Sequence, residues 1–160
     1  MTDQRIASVL FVCWGNYCRS PMAEAALRAE MRRQGTFAPV VSVGIGARRT
    51  GQPIDPRARR EGTRRGIDMT SYRVKKLAPH HFRQASHIFV MDRQNLADVQ
   101  ALVPADCTAA ISLLLDTLND HKGREITDPY RGTQQDFARV WHQCSMVARE
   151  IAKAMPSSVL

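Results

Sequence analysis

Four short apolar runs recur along the chain, separated by polar turns and stretches of helical period. The first, Ile6 to Val12 (IASVLFV), is rich in β-branched and aromatic residues and has the length of a buried parallel strand. A compact loop, Cys13 to Arg19, leads into a helix. Ser20 is expected to cap it, with Pro21 in the first turn, where a missing N–H costs nothing. Ala23, Ala26, Leu27 and Met31 form its apolar face and Gly35 its stop. Val40 to Val43 is the second strand, and Asp55-Pro56 opens a charged helix ending near Gly66. Pro79 opens a further helix that places His80 and His81 on the surface. His87 to Met91 is the third strand, and Asp92 caps a helix running to about Val103. Ala109 to Leu114 is the fourth strand. Thr133 and Asp136 make a box-like start to the last helix. On it Phe137, Val140, Trp141, Cys144, Val147, Ala148 and Ile151 recur at helical spacing, the strongest periodic signal in the chain; Cys144 reads as part of the buried stripe.

Strands alternating with helices predict an α/β domain with a central four-stranded parallel sheet flanked by helices on both faces. The 160 residues suit one domain, taken as 1–160, and no internal repeat or linker divides them. The longest apolar run, Ala109 to Leu115, is broken by Ser112 and falls well short of the ~20 residues that span a bilayer, so no membrane insertion is expected. Met1 to Ile6 offers no cleavable apolar stretch, and the expectation is a soluble cytoplasmic protein. The formal charge of +8 draws the chain toward acidic partners. The four cysteines, Cys13, Cys18, Cys107 and Cys144, form no C-x-x-C pair and no zinc pattern with nearby histidines, so neither metal nor cofactor is expected. Each cysteine is then either buried packing or chemistry.

In a doubly wound sheet, ligands sit at the carboxyl ends of strands, where a loop turns into the next helix. Here that place holds Cys13-Trp14-Gly15-Asn16-Tyr17-Cys18-Arg19-Ser20. A helix N-terminus offers unpaired N–H groups and a positive dipole end, which favour an anion. Gly15 and Asn16 tolerate left-handed backbone, so the loop can curl with its amides facing inward. Arg19 adds a planar fork that matches two phosphate oxygens. The same field would stabilise a thiolate at Cys13, at the base of the bowl. A nucleophile, an oxyanion cradle and a guanidinium within seven residues are what attack on phosphorus requires. The fold expectation therefore includes a phosphate-binding loop after the first strand, built from Trp14, Gly15, Asn16, Tyr17, Cys18 and Arg19.

The segment Val12 to Glu24 (VCWGNYCRSPMAE) resembles the signature of the low molecular weight protein tyrosine phosphatases. Ser42-Val43-Gly44, Gly51-Gln52-Pro53, Asp55-Pro56-Arg57, Gly66-Ile67-Asp68, Met91-Asp92, Asn95-Leu96 and Asp128-Pro129-Tyr130 follow in the family's order, from about Ile6 to Ile151. The resemblance implies that Cys13 attacks phosphorus and carries a cysteinyl-phosphate, with Arg19 and the loop amides holding the phosphoryl oxygens. It implies that Asp128 protonates the departing phenolate, a poor leaving group since a phenol has a pKa of ~10, and then activates water. Pro129 would stiffen the loop that presents the acid, and Tyr130 would form one aromatic wall for the substrate ring. Ser20 would donate its hydroxyl to the thiolate, and Asn16 would brace the loop with Ser42 as partner. Cys18 resembles the family's second cysteine. It reads either as a redox partner that rescues an oxidised Cys13 or as inert packing. Implied partners are phosphotyrosine proteins or peptides, with inorganic phosphate as product.

Several positions depart from the pattern. Where several family members carry an aromatic residue after Ser-x-Gly, this chain has Ala47-Arg48-Arg49-Thr50, and the arginines suit an acidic residue beside the phosphotyrosine. Trp14 and Tyr17 are bulkier than usual and could narrow the mouth. Tyr72 stands near a position where many relatives have histidine. From Arg48 to Lys76 there are ten basic and three acidic residues. That stretch reads first as a solvated face, then as a docking surface for acidic phosphopeptides, and only third as a nucleic-acid contact, because aromatic interleaving is nearly absent. Competing readings on the same fold are an arsenate reductase, disfavoured by the wide separation of Cys107 and Cys144, and a phosphoarginine phosphatase, for which a small hydroxyl residue would be expected at Tyr17. A non-enzymatic phosphate- or nucleic-acid-binding module comes last, since it would not need Cys13. The stretch Asp128-Pro129-Tyr130-Arg131-Gly132 looks like that of bacterial members that dephosphorylate a tyrosine kinase in exopolysaccharide export.

Overall fold

Successive side chains of a strand point to opposite faces, and the first strand separates two cores on that basis. In β1 (Val9–Cys13), Val9, Phe11 and Cys13 enter one hydrophobic cluster while Leu10 and Val12 enter the other. The computed structural model describes residues 5–158. The reading of the first four residues as lacking a leader, and both ends of the expected 1–160 domain, lie outside the described residues.

From β1 the chain enters α1 (Arg19–Gln34), returns as β2 (Val40–Gly44), and passes through α2 (Pro56–Arg64) and α3 (Pro79–Gln84) to β3 (His87–Val90). α4 (Arg93–Leu102), β4 (Ala110–Leu113), two short 3-10 turns and α5 (Gln134–Lys153) complete it. The sheet is entirely parallel, ordered β2-β1-β3-β4. β1 lies between β2 and β3, with Val9 opposite both Val40 and His87. On one face, Leu27 and Met31 of α1 pack with Phe137, Cys144 and Ile151 of α5 against Phe11 and Phe89. On the other, Phe82 of α3 and Val99 of α4 cover Leu10, Ile88 and Val90. Among the described residues no helix is long and apolar enough to cross a membrane.

Several element boundaries differ from the sequence expectation, each for a local reason. The first strand starts at Val9 rather than Ile6. The amides of Ala7 and Ser8 are taken by the Ser86 hydroxyl at 3.1 and 2.9 Å, and Ile6 bonds to Ala154 near the end of α5. β2 runs one residue further, to Gly44, and β4 ends at Leu113, where Leu114 begins a 3-10 turn. Ser20 is not the cap of α1: Cys18 holds that position without a side-chain bond, and the Ser20 hydroxyl faces the sheet edge instead. Pro21 still falls in the first turn. The stop at Gly35 is formed as expected, with φ 70° and its N–H on the Met31 carbonyl at 2.9 Å. Asp55 and Asp92 cap α2 and α4, accepting from Arg57 N at 2.8 Å and Asn95 N at 2.7 Å. His81 is half-buried rather than on the surface, because its Nδ1 accepts the Ala78 N–H at 2.9 Å and closes the start of α3.

Candidate active site

All the chemistry-bearing residues gather at the carboxyl edge of the sheet. β1 ends in Cys13, and the chain turns through Trp14 to Cys18 into α1. Asn16 makes that turn with φ 50°, a left-handed conformation that asparagine tolerates better than most residues. Its backbone N–H points at Cys13 Sγ at 3.2 Å. Cys13 Sγ also lies 3.0 Å from Ser20 Oγ, so of the two roles expected of Ser20, helix cap and partner of the sulfur, the second is the one its hydroxyl meets.

Asn16 is 1% exposed, and its amide is fully employed. Nδ2 donates to Ser20 Oγ at 2.8 Å and to Ser42 Oγ at 3.0 Å, while Oδ1 accepts the Lys75 N–H at 2.7 Å. Ser42 passes the chain on by donating to Glu24 Oε1 at 2.8 Å. A buried polar chain with every member paired is rigid, because each unpaired group would carry its full desolvation cost. Gly44, at the end of β2, seals the loop from behind: a Cβ there would sit 2.5 Å from Asn16 N and 2.6 Å from Gly15 C. Only glycine permits so close an approach of strand to loop.

Arg19 is 3% exposed, yet it keeps its charge. Burial opposes that charge, but the neighbouring Cys13, Asp92 and Asp128 outweigh it and hold the guanidinium above its ordinary range. Nη1 donates to Asp92 Oδ2 at 2.7 Å and to the Ile126 carbonyl at 2.8 Å. Nη2 lies 3.7 Å from Asp128 Oδ2. Asp92, the cap of α4, therefore anchors the arginine as well, which the sequence reading missed. The available signal was its place just past the carboxyl end of the third strand, the edge where ligand-binding side chains gather.

Asp128 projects from the loop before α5 and accepts the Tyr130 N–H at 3.1 Å. A second set of contacts ties this loop to the one that holds Cys13. The Arg57 guanidinium grips Asp55 at 2.8 and 3.1 Å, and reaches the carbonyls of Tyr130 at 2.8 Å and Gly132 at 3.2 Å. Asp55 in turn donates its N–H to the Tyr17 carbonyl at 3.1 Å and receives the Cys18 thiol at 3.6 Å. Burial, and then the Asp55 carboxylate, push the Cys18 thiol well above its ordinary range. The sequence reading has Asp55 at a helix start and Asp55-Pro56-Arg57 among the segments in the family's order, but not this clamp, because a link between two loops leaves no local signature.

Above Cys13 opens a cavity of about 400 Å³, lined by Trp14, Tyr17, Arg19, Asp128 and Tyr130, with Arg48, Arg49 and Arg131 around them. Tyr17 and Tyr130 meet edge to face with ring centroids 6.0 Å apart. Arg49 lies over the Tyr17 ring at 4.6 Å and donates to the Tyr130 hydroxyl at 3.2 Å. Trp14 folds over Gly46, where a Cβ would meet its ring at 2.5 Å. The structure thus brings together every loop residue from Cys13 to Ser20 with Ser42, Asp128 and Tyr130; Pro129, between the last two, is buried. A thiol beside a backbone N–H and a hydroxyl, an anchored guanidinium, a carboxyl group and an aromatic pair form a site suited to holding a planar ring with an anionic end.

Comparison with known proteins points the same way. The family model for low molecular weight phosphotyrosine protein phosphatase matches residues 8–159. A human protein named low molecular weight phosphotyrosine protein phosphatase is 35% identical over 153 residues, covering 93% of this chain and 96% of its own. A Ralstonia nicotianae protein named "probable low molecular weight protein-tyrosine-phosphatase EpsP" is 36% identical over 126 residues, 79% of this chain and 80% of its own. The crystal structure of a low molecular weight phosphotyrosine phosphatase from Vibrio cholerae superposes with a TM-score of 0.83 at 32% identity, covering 92% of this chain and 95% of that one.

Proposed function

This chain belongs to the low molecular weight phosphotyrosine protein phosphatase family, a family of hydrolases, and we propose that it cleaves phosphotyrosine through a cysteinyl-phosphate intermediate. The observation that carries this reading is Cys13 Sγ facing the Asn16 amide at 3.2 Å and the Ser20 hydroxyl at 3.0 Å, beside an anchored Arg19. The amide N–H and the hydroxyl hold the nucleophilic sulfur in place. In the first step the sulfur attacks phosphorus in line with the tyrosine oxygen. The S–P bond forms as the P–O bond breaks, and Asp128 gives its proton to the departing phenolate. In the second, Asp128 takes a proton from water as the water oxygen bonds to phosphorus. The S–P bond breaks, releasing inorganic phosphate and the thiolate. Arg19 and the amides from Trp14 to Arg19 hold the equatorial oxygens through both steps, while the Tyr17–Tyr130 pair packs against the ring.

In this reading Ser20, Asn16 and Ser42 are positioning residues, and Pro129 stiffens the loop that carries the acid. Cys18 is the redox candidate: after peroxide oxidises Cys13 to a sulfenic acid, the Cys18 thiol would condense with it, forming the S–S bond and releasing water. For the physiological substrate we propose an autophosphorylated bacterial tyrosine kinase that controls exopolysaccharide. The Asp128-Pro129-Tyr130-Arg131-Gly132 stretch and the similarity to EpsP support that choice. Incubation with such a kinase tests it, the expected result being loss of its phosphotyrosine.

The chemistry is tested with aryl phosphates in excess chelator. Cys13→Ser should be inactive. Asp128→Ala should lose roughly two to four orders of magnitude in rate on phenyl phosphate, the usual worth of a general acid. On p-nitrophenyl phosphate, whose leaving group needs little help, it should lose much less. Equal losses on both would remove Asp128 from the acid role.

A further inference from the structure

We propose that the mouth of the cavity selects phosphotyrosines flanked by acidic residues, through Arg48, Arg49 and Arg131. This rests on the phosphatase reading above and adds to it the charge of the peptide around the phosphotyrosine.

The charge balance of the cavity carries the argument. Arg48, Arg49 and Arg131 line it above Arg19, and its one lining carboxylate is Asp128. Asp128 is turned toward Arg19 at 3.7 Å, so it does not neutralise the rim. Elsewhere on the surface many arginines are paired within the chain, Arg83 with Asp106 at 2.9 Å and Arg139 with Asp136 at 2.9 Å among them. Among the described residues, none of the three rim arginines makes an ion pair. They stand together at the mouth of the cavity above Cys13.

Arg49 is held rather than waving in solvent. Its guanidinium rests on the Tyr17 ring at 4.6 Å and bonds to the Tyr130 hydroxyl at 3.2 Å, which fixes a positive charge at the lip. Arg48 and Arg131 are exposed, with no side-chain hydrogen bond among the described residues. With the substrate ring lying against the Tyr17–Tyr130 pair, the peptide backbone crosses the mouth. Consecutive residues are only about 3.8 Å apart, so the side chains next to the phosphotyrosine fall within reach of the rim. Carboxylates there meet planar donors in the geometry guanidinium groups favour. A basic or neutral neighbour leaves the three charges uncompensated or repelled.

The test compares two phosphotyrosine peptides of equal length, one with glutamate and one with glutamine on both sides, alongside p-nitrophenyl phosphate, which has no flanks. Each exposed ion pair contributes a factor of about two to five, so the glutamate peptide should be preferred about tenfold in kcat/KM at low salt. The preference should shrink in 0.5 M salt, where charges more than a few ångströms apart are screened. In Arg48→Gln/Arg131→Gln the glutamate-to-glutamine ratio, read within the variant, should fall to about two or three. Arg49→Gln added to these should bring it to about one. Equal turnover of the two peptides by the unaltered protein, or a ratio unmoved by the variants, overturns the proposal. Failure to hydrolyse even p-nitrophenyl phosphate would instead overturn the phosphatase reading on which it stands.

Discussion

At the scale of single residues, the three thiols buried near the site or in the core differ in their surroundings. Cys13 lines the cavity and faces the Asn16 N–H and the Ser20 hydroxyl. Cys18 donates to Asp55 and is held above its ordinary range by burial and that carboxylate. Cys144, in the α5 stripe, is pushed up to about 12 by burial. A raised thiol pKa keeps the proton on at neutral pH and leaves little thiolate to react. Iodoacetamide at pH 7 should therefore label Cys13 first, and inorganic phosphate should protect it, while Cys18 and Cys144 stay unlabelled until the protein unfolds. Mass spectrometry of the labelled peptides decides the matter; labelling of Cys18 as fast as Cys13 would contradict the hold of Asp55. The loop from Cys13 to Ser20 was legible in sequence because its parts are contiguous. Its supports were read unevenly: Ser42 was expected, whereas Glu24, which accepts from it, and Asp92, which anchors Arg19, come from other elements. Ser20 reads both as a helix cap and as a partner of the Cys13 sulfur; the structure has it 3.0 Å from the sulfur, and Cys18 takes the cap position.

At the scale of elements, α2 does more than cover the sheet. Its cap, Asp55, and its second residue, Arg57, join the Cys13 loop to the loop that carries Asp128. Arg57→Ala should free the acid's loop while leaving the nucleophile's loop supported by Asn16. Misplacing a catalytic group by about an ångström costs on the order of a hundredfold. We expect kcat on phenyl phosphate to fall by about ten- to a hundredfold, with little change on p-nitrophenyl phosphate. Arg57→Lys, which keeps the charge without the fork, should fall between. Equal loss on both substrates would mean that Arg57 serves only overall stability. The starts of α2, α4 and α5 were readable because capping chemistry is local: Asp55, Asp92 and the Thr133–Asp136 box all stand where the sequence put them. Strand ends were less readable. Pairing partners decide them, and at Ala7 and Ser8 the partner was a serine hydroxyl 79 and 78 positions away.

At the scale of the whole molecule, the sheet separates two cores, and the larger one holds α1 against α5. Leu27 is fully buried there, remote from the cavity lining. Leu27→Ala should cost about 2–5 kcal/mol, the usual worth of a buried leucine, and lower the urea midpoint without altering kcat per folded molecule. The architecture was readable from alternating apolar runs and helical periods, as was the carboxyl edge as the place for a ligand. The order β2-β1-β3-β4 was not, since nothing in a strand's own residues says which neighbour it will pair with. That order places Cys13 in a central strand, flanked by Gly44 on one side and the Asp92 turn on the other.

The contact of Gly44 against the backbone of Gly15 and Asn16 leaves no room for even a methyl group behind the loop. Inward variation is therefore closed to descendants of this chain, whereas Arg48 and Arg131 face outward with no partner among the described residues. New preferences can arise by re-lipping the cup while its floor is inherited unchanged.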